Sequence, residues 1–143
     1  MTPEAASPIL APVVALVAWS MVMWTWMYAT RLPAIRSARM KPDPHAPRGE
    51  QMSKLPSEVR WKADNYNHLM EQPTLFYAIT IVLALLGKDS GIALAMAWGY
   101  VIMRVIHSVF QATVNKIEVR FLLFSISSLF LIGLTVVAAL ACL

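Results

Sequence analysis

The chain has a single cysteine, Cys142, set in an apolar run beside the C-terminus. One thiol allows neither an intrachain disulfide nor a thiolate-ligated metal site. Nor does Ala141-Cys142-Leu143 put that cysteine where prenylation needs it. Charge is also scarce: 14% of residues are charged against 58% hydrophobic, far from the soluble average of about 25% and 45–50%. A water-soluble core of 143 residues could not hide that much apolar surface. There is no Gly-rich phosphate loop or nucleophile elbow, which excludes P-loop and α/β-hydrolase chemistry. Internal repeats and low-complexity segments are absent too. The N-terminus carries Glu4 where a secretory signal would be basic, and the apolar stretch behind it outruns a signal-peptide core, so it reads as a retained helix.

What is present is long apolar runs, and they predict an all-α, integral membrane four-helix bundle in one domain. The spans are about 8–30, 69–87, 91–114 and 120–142, each near the roughly 20 residues needed to cross a bilayer. Trp24, Trp26 and Tyr28 close the first span as an aromatic belt just before Arg31. A polar, proline-punctuated loop is expected over about 31–56. Ser57 followed by Glu58 suggests an N-cap and first turn for helix two, which starts outside the bilayer. Pro73 should kink it where it turns apolar.

Eight of the twelve basic residues (Arg31, Arg36, Arg39, Lys41, Arg48, Lys54, Arg60 and Lys62) fall between spans one and two. Lys116 and Arg120 share that side, and the other side has Lys88. Counted by the positive-inside rule, the basic loop is cytoplasmic and both termini are non-cytoplasmic. The net charge of +4 then reports topology and implies no nucleic-acid partner. A short chain without glycosylation sites points to a bacterial inner membrane.

Glu71, Arg104 and His107 stand in or beside apolar spans, where a lone charge costs about 3 kcal/mol or more. The topology brings them to one depth together with Arg120. Tyr100, Arg104, His107 and Gln111 recur at helical spacing, forming one polar stripe that must face protein or a water-filled cavity. The plainest reading is a buried Arg104–Glu71 ion pair with His107 and Gln111 as interhelical hydrogen bonders. That pair leaves Arg120 unexplained beside other cations unless an anion binds there. Asn67 and Glu71 share a face of helix two, with His68 alongside. His68, Glu71 and His107 could be metal ligands, but there is no His-x-x-x-His, Glu-x-x-His or cysteine pair, so no metal is expected.

The segment Arg104-Val-Ile-His107-Ser-Val, Arg120 opening the last helix, and Asn67-His-Leu-Met-Glu71-Gln-Pro-Thr-Leu-Phe together resemble the membrane-associated proteins in eicosanoid and glutathione metabolism, the MAPEG family. The resemblance covers nearly the whole chain. It implies a homotrimer that binds glutathione as co-substrate between subunits and takes a lipophilic substrate from the membrane lipid. By resemblance Arg120 is the catalytic residue that stabilises the glutathione thiolate. By the same resemblance Asn67, Glu71, Arg104 and His107 are glutathione-binding; Gln111, where the family commonly has a tyrosine, joins them through the polar stripe, and Arg31 is first an interfacial anchor and second a candidate supporting contact. The implied activity is a glutathione-dependent transferase or peroxidase. The chain departs from the catalytic pattern at Ala63, where an arginine is usual, and in the spacing of Asn67 and Glu71. A non-catalytic, lipid-binding scaffold of the same fold is therefore the alternative.

Overall fold

A computed structural model describes residues 6–143, and its regular structure is helical throughout: α1 (Leu10–Ser37), α2 (Glu50–Ser53), α3 (Ser57–Leu69), α4 (Pro73–Leu85), α5 (Gly91–Thr113) and α6 (Ile117–Cys142). With α3 and α4 counted as one interrupted rod, four helices are long and apolar enough to cross a membrane. α1 packs against α3, α4 and α5, while α6 packs against α4 and α5, so the rods close into a ring with α5 most enclosed.

Each rod buries one narrow stripe. On α1 the stripe is Pro12, Leu16, Ser20, Met23 and Met27, spaced by one helical turn. The rest of its surface, including Val14, Val17, Met21 and Trp24, points outward. In α6 only 22% of the most apolar window is buried. Apolar surface on this scale is unstable in water but is what lipid tails require. The chain is thus an integral membrane protein.

Helix ends differ from expectation in three places. α1 continues to Ser37, through Pro33, rather than giving way to loop near residue 31. A proline in the last turns removes one backbone donor and does not stop a helix whose remaining bonds are intact. Within the connection, Glu50–Ser53 forms a short helix of its own. Ser57 is the first helical residue and makes no cap. Pro56 occupies the N-cap position, and the Ser57 hydroxyl accepts from Arg60 Nη2 at 3.3 Å instead.

The break between α3 and α4 is where the site is made. Pro73 has no N–H to offer Leu69, and its ring crowds that carbonyl. The chain responds with tight turns in which Met70 and Glu71 donate their N–H groups to the carbonyls of Asn67 and His68 at 2.9 and 3.4 Å. These i to i+3 bonds advance the chain faster than an α-helix does, so the side chains after His68 leave the α-helical register.

Candidate functional site

α5 carries the polar stripe inward: Tyr100 and Arg104 are fully buried, and His107 and Gln111 are 2% exposed. Among the described residues Arg104 has no carboxylate partner. Its Nη2 donates to the His68 backbone carbonyl at 3.1 Å, and its Nη1 lies 3.4 Å from His68 Nε2. Its guanidinium sits over the Phe124 ring at 5.5 Å, within cation–π range. The Nε–H finds no partner among the described residues. A buried guanidinium held only by neutral groups is costly and is poised to receive an anion.

Among the described residues the one ion-pair contact is His68 Nδ1 to Glu71 Oε2, 3.0 Å. The expected Arg104–Glu71 pair is therefore not formed. The tightened turn ahead of Pro73 brings Glu71 back to His68 and leaves its side chain 68% exposed, away from Arg104. The His68 tautomer follows from its neighbours. A guanidinium has no acceptor, so Nε2 carries the lone pair that faces Arg104, and Nδ1–H donates to Glu71. The ring is wedged between His107 at 5.1 Å and Phe124 at 5.2 Å, centroid to centroid.

Arg120, near the start of α6, is half-buried. Its Nη1 donates to Asn115 Oδ1 at 2.7 Å, and its Nε–H is buried without a partner among the described residues. One turn along α6, Phe124 packs against the rings of His68 and His107, which puts Arg120 at the same end of the bundle. Two cations, each with an unpartnered buried donor, and two imidazoles thus gather where α3, α5 and α6 meet. Gln111 lies further along α5 with its Oε1 unpartnered among the described residues.

Asn67 and Arg31 are not in this cluster. They lie on the other side of α3, lining an open cavity of about 390 Å³ with Arg48, Arg60 and Asp64. The residues expected to form one site thus fall into two groups flanking α3.

Two buried polar residues, Asn65 and Lys62, and the half-buried Gln72 lie outside the expected site residues. Asn65, fully buried, donates through Nδ2 to Ser108 Oγ at 2.6 Å, and the same hydroxyl accepts from Trp19 Nε1 at 3.0 Å. Lys62, 9% exposed, donates to the carbonyls of Glu58 and Ala112 at 2.7 and 3.4 Å and lies over the Trp26 ring. Gln72 joins α5 to α6: its Oε1 accepts from Tyr100 OH at 3.3 Å, and its Nε2 donates to Ser128 Oγ at 2.9 Å. The spacing of Lys62, Asn65 and Leu69 at i, i+3 and i+7 was the available signal for the first two.

The family model for the MAPEG family matches residues 9–140, nearly the whole chain, and the chain belongs to that family. No curated protein and no solved structure matches it.

Proposed function

We propose that this MAPEG protein is a glutathione-dependent transferase or peroxidase acting on a lipophilic electrophile dissolved in the membrane. The observation that carries the reading is Arg104, fully buried yet without a carboxylate partner among the described residues, with its guanidinium over Phe124, one turn along α6 from Arg120. An anionic tripeptide thiol supplies the missing negative charge. Its sulfur would lie near Arg120, whose charge favours the thiolate over the thiol and so makes the nucleophile at neutral pH. Preorganised guanidinium donors in a dry site stabilise that charge far more than they would in water. The broken polar end of the bundle would face the cytoplasm, where the soluble thiol enters, and the electrophile would arrive from the lipid.

The protomer would work as a homotrimer. Arg31 and Asn67 line a cavity on the far side of α3 from Arg104, so a ligand touching both groups is reached most simply across a subunit boundary. The test is conjugation of glutathione to a lipophilic model electrophile by wild type and Arg120→Ala. A loss of about 100-fold is expected for a removed transition-state cation, and an unchanged rate rejects the role.

A second reading, a lipid-binding scaffold without catalysis, is favoured by an apolar groove of about 460 Å³ between α1 and α5, walled by Trp19, Val22, Trp98, Ile102 and Ile106. Saturable lipid binding with no glutathione binding at millimolar ligand would select it.

A further inference from the structure

We propose that His68 is the acid–base residue of this site, oriented by Glu71, and that the electrophiles it serves best are those that take up a proton on addition, such as epoxides and α,β-unsaturated carbonyls. The inference rests on the reading of the cluster as a thiol site. It is carried by a geometry that the positions of Arg104 and Arg120 alone do not supply.

Glu71 Oε2 lies 3.0 Å from His68 Nδ1, and the opposite nitrogen, Nε2, points into the cluster with its lone pair toward Arg104 Nη1. A carboxylate on one imidazole nitrogen and a free lone pair on the other is the arrangement of an oriented general base. The Nη1–Nε2 contact, 3.4 Å, is longer than a good N–H hydrogen bond of about 2.7–3.2 Å. An anion arriving on Arg104 therefore displaces little to reach Nε2. His107, Phe124 and the His68–Glu71 contact fix the ring plane. Glu71 is exposed, so the dyad also joins the buried cluster to solvent.

The proton balance selects the substrate. The thiol S–H bond breaks, the proton goes to Nε2, and the thiolate stays beside Arg104 and Arg120 while Glu71 offsets the imidazolium. Sulfur then bonds to carbon. In an epoxide the C–O bond breaks and the alkoxide takes the proton from Nε2; in an unsaturated carbonyl the enolate takes it. Either addition returns His68 to its neutral state with nothing left over. Displacement of a halide gives no such return, and the proton must leave through Glu71.

The charged and titratable groups facing His68 are Glu71 on its own turn, Arg104 and His107 on α5, and Arg120 on α6. A pH–rate profile belongs to that set as a unit, so the test compares variants. Wild type, His68→Gln and Glu71→Gln are purified in detergent. Glutathione binding is measured by calorimetry, the bound thiolate by ultraviolet absorbance, and rates are followed against pH with an epoxide and with an aryl halide. The expected result is that His68→Gln still binds glutathione but loses the thiolate absorbance at neutral pH. Its epoxide rate falls by about 100-fold or more, and by more than its halide rate. Exogenous imidazole restores part of the epoxide rate. Glu71→Gln, a change at an exposed residue, keeps the fold and shifts the pH–rate profile even if His68→Gln unfolds. An unshifted profile in Glu71→Gln, or undiminished thiolate absorbance in His68→Gln, overturns the dyad and leaves the thiol site standing. Absence of glutathione binding to wild type overturns the thiol site and the dyad with it.

Discussion

Asn115 Oδ1 accepts from Arg120 Nη1 at 2.7 Å, and the same asparagine closes α5 in a left-handed conformation, φ 57°. Its N–H reaches back to the Phe110 carbonyl at 2.9 Å, the bond that seals a helix end of this kind. One residue thus turns the chain from α5 into α6 and holds the guanidinium on which the proposed thiol site would depend.

The two jobs separate by substitution. Asn115→Gly keeps the backbone conformation and loses the anchor, whereas Asn115→Ala loses both. Thermal unfolding in detergent should find the glycine variant close to wild type and the alanine variant less stable by about 1 kcal/mol, because alanine has neither glycine's freedom nor the short polar side chain that lets asparagine hold positive φ. Both should weaken glutathione binding, because Arg120 is released in both.

Arg104 gives a sharper contrast between stability and function. Arg104→Met replaces a buried charge that lacks a carboxylate partner with an apolar chain of similar length. Such replacements are neutral or stabilising by about 1–4 kcal/mol. The variant should melt at or above the wild-type temperature while losing at least about tenfold in glutathione affinity. A variant that loses stability and keeps affinity would mean that the guanidinium serves packing alone.

Ser108 is the shared acceptor of Trp19 and Asn65. Ser108→Ala leaves the buried Asn65 donor and the half-buried Trp19 donor unpartnered and should cost about 2 kcal/mol in thermal unfolding. This cost should leave glutathione affinity near wild type, since Asn65 and Trp19 lie outside the basic cluster.

The α5–α6 seam rests on two reciprocal notches. A Cβ at Gly99 would sit 2.7 Å from the Phe130 ring, and one at Gly133 would sit 2.7 Å from Met96 Sδ. An aromatic ring in a packed seam moves with difficulty, while a thioether swings away. Gly99→Ala should therefore lower the melting temperature more than Gly133→Ala, with a difference of about 1 kcal/mol or more.

Much of this was legible in the sequence for a physical reason. The bilayer demands long apolar runs, and α5 displays Tyr100, Arg104, His107 and Gln111 at helical spacing because an unbroken helix obeys its period. Helix two was harder to read. Treating residues 67–71 as continuous helix put Asn67 and Glu71 on one face, but the turns before Pro73 tighten to i to i+3 bonds and separate them. Asn67 went to the cavity with Arg31 and Glu71 went to His68. Pro73 itself signalled a kink, yet a sequence does not state how far a kink turns the residues on either side. Asn65 and Lys62 were passed over because polar residues in a helix start read as solvated, and only the packing of α1 and α5 against α3 buries them.

The claim at the centre is that the buried basic cluster binds an anionic thiol. The direct measurement is a calorimetric titration of glutathione into the purified protein in detergent, repeated with Arg104→Met and Arg120→Ala. Saturable binding in wild type that both substitutions weaken by about tenfold or more, the worth of one buried charge-assisted contact, is the predicted result. No saturable binding at millimolar glutathione, or binding that both substitutions leave untouched, would contradict it.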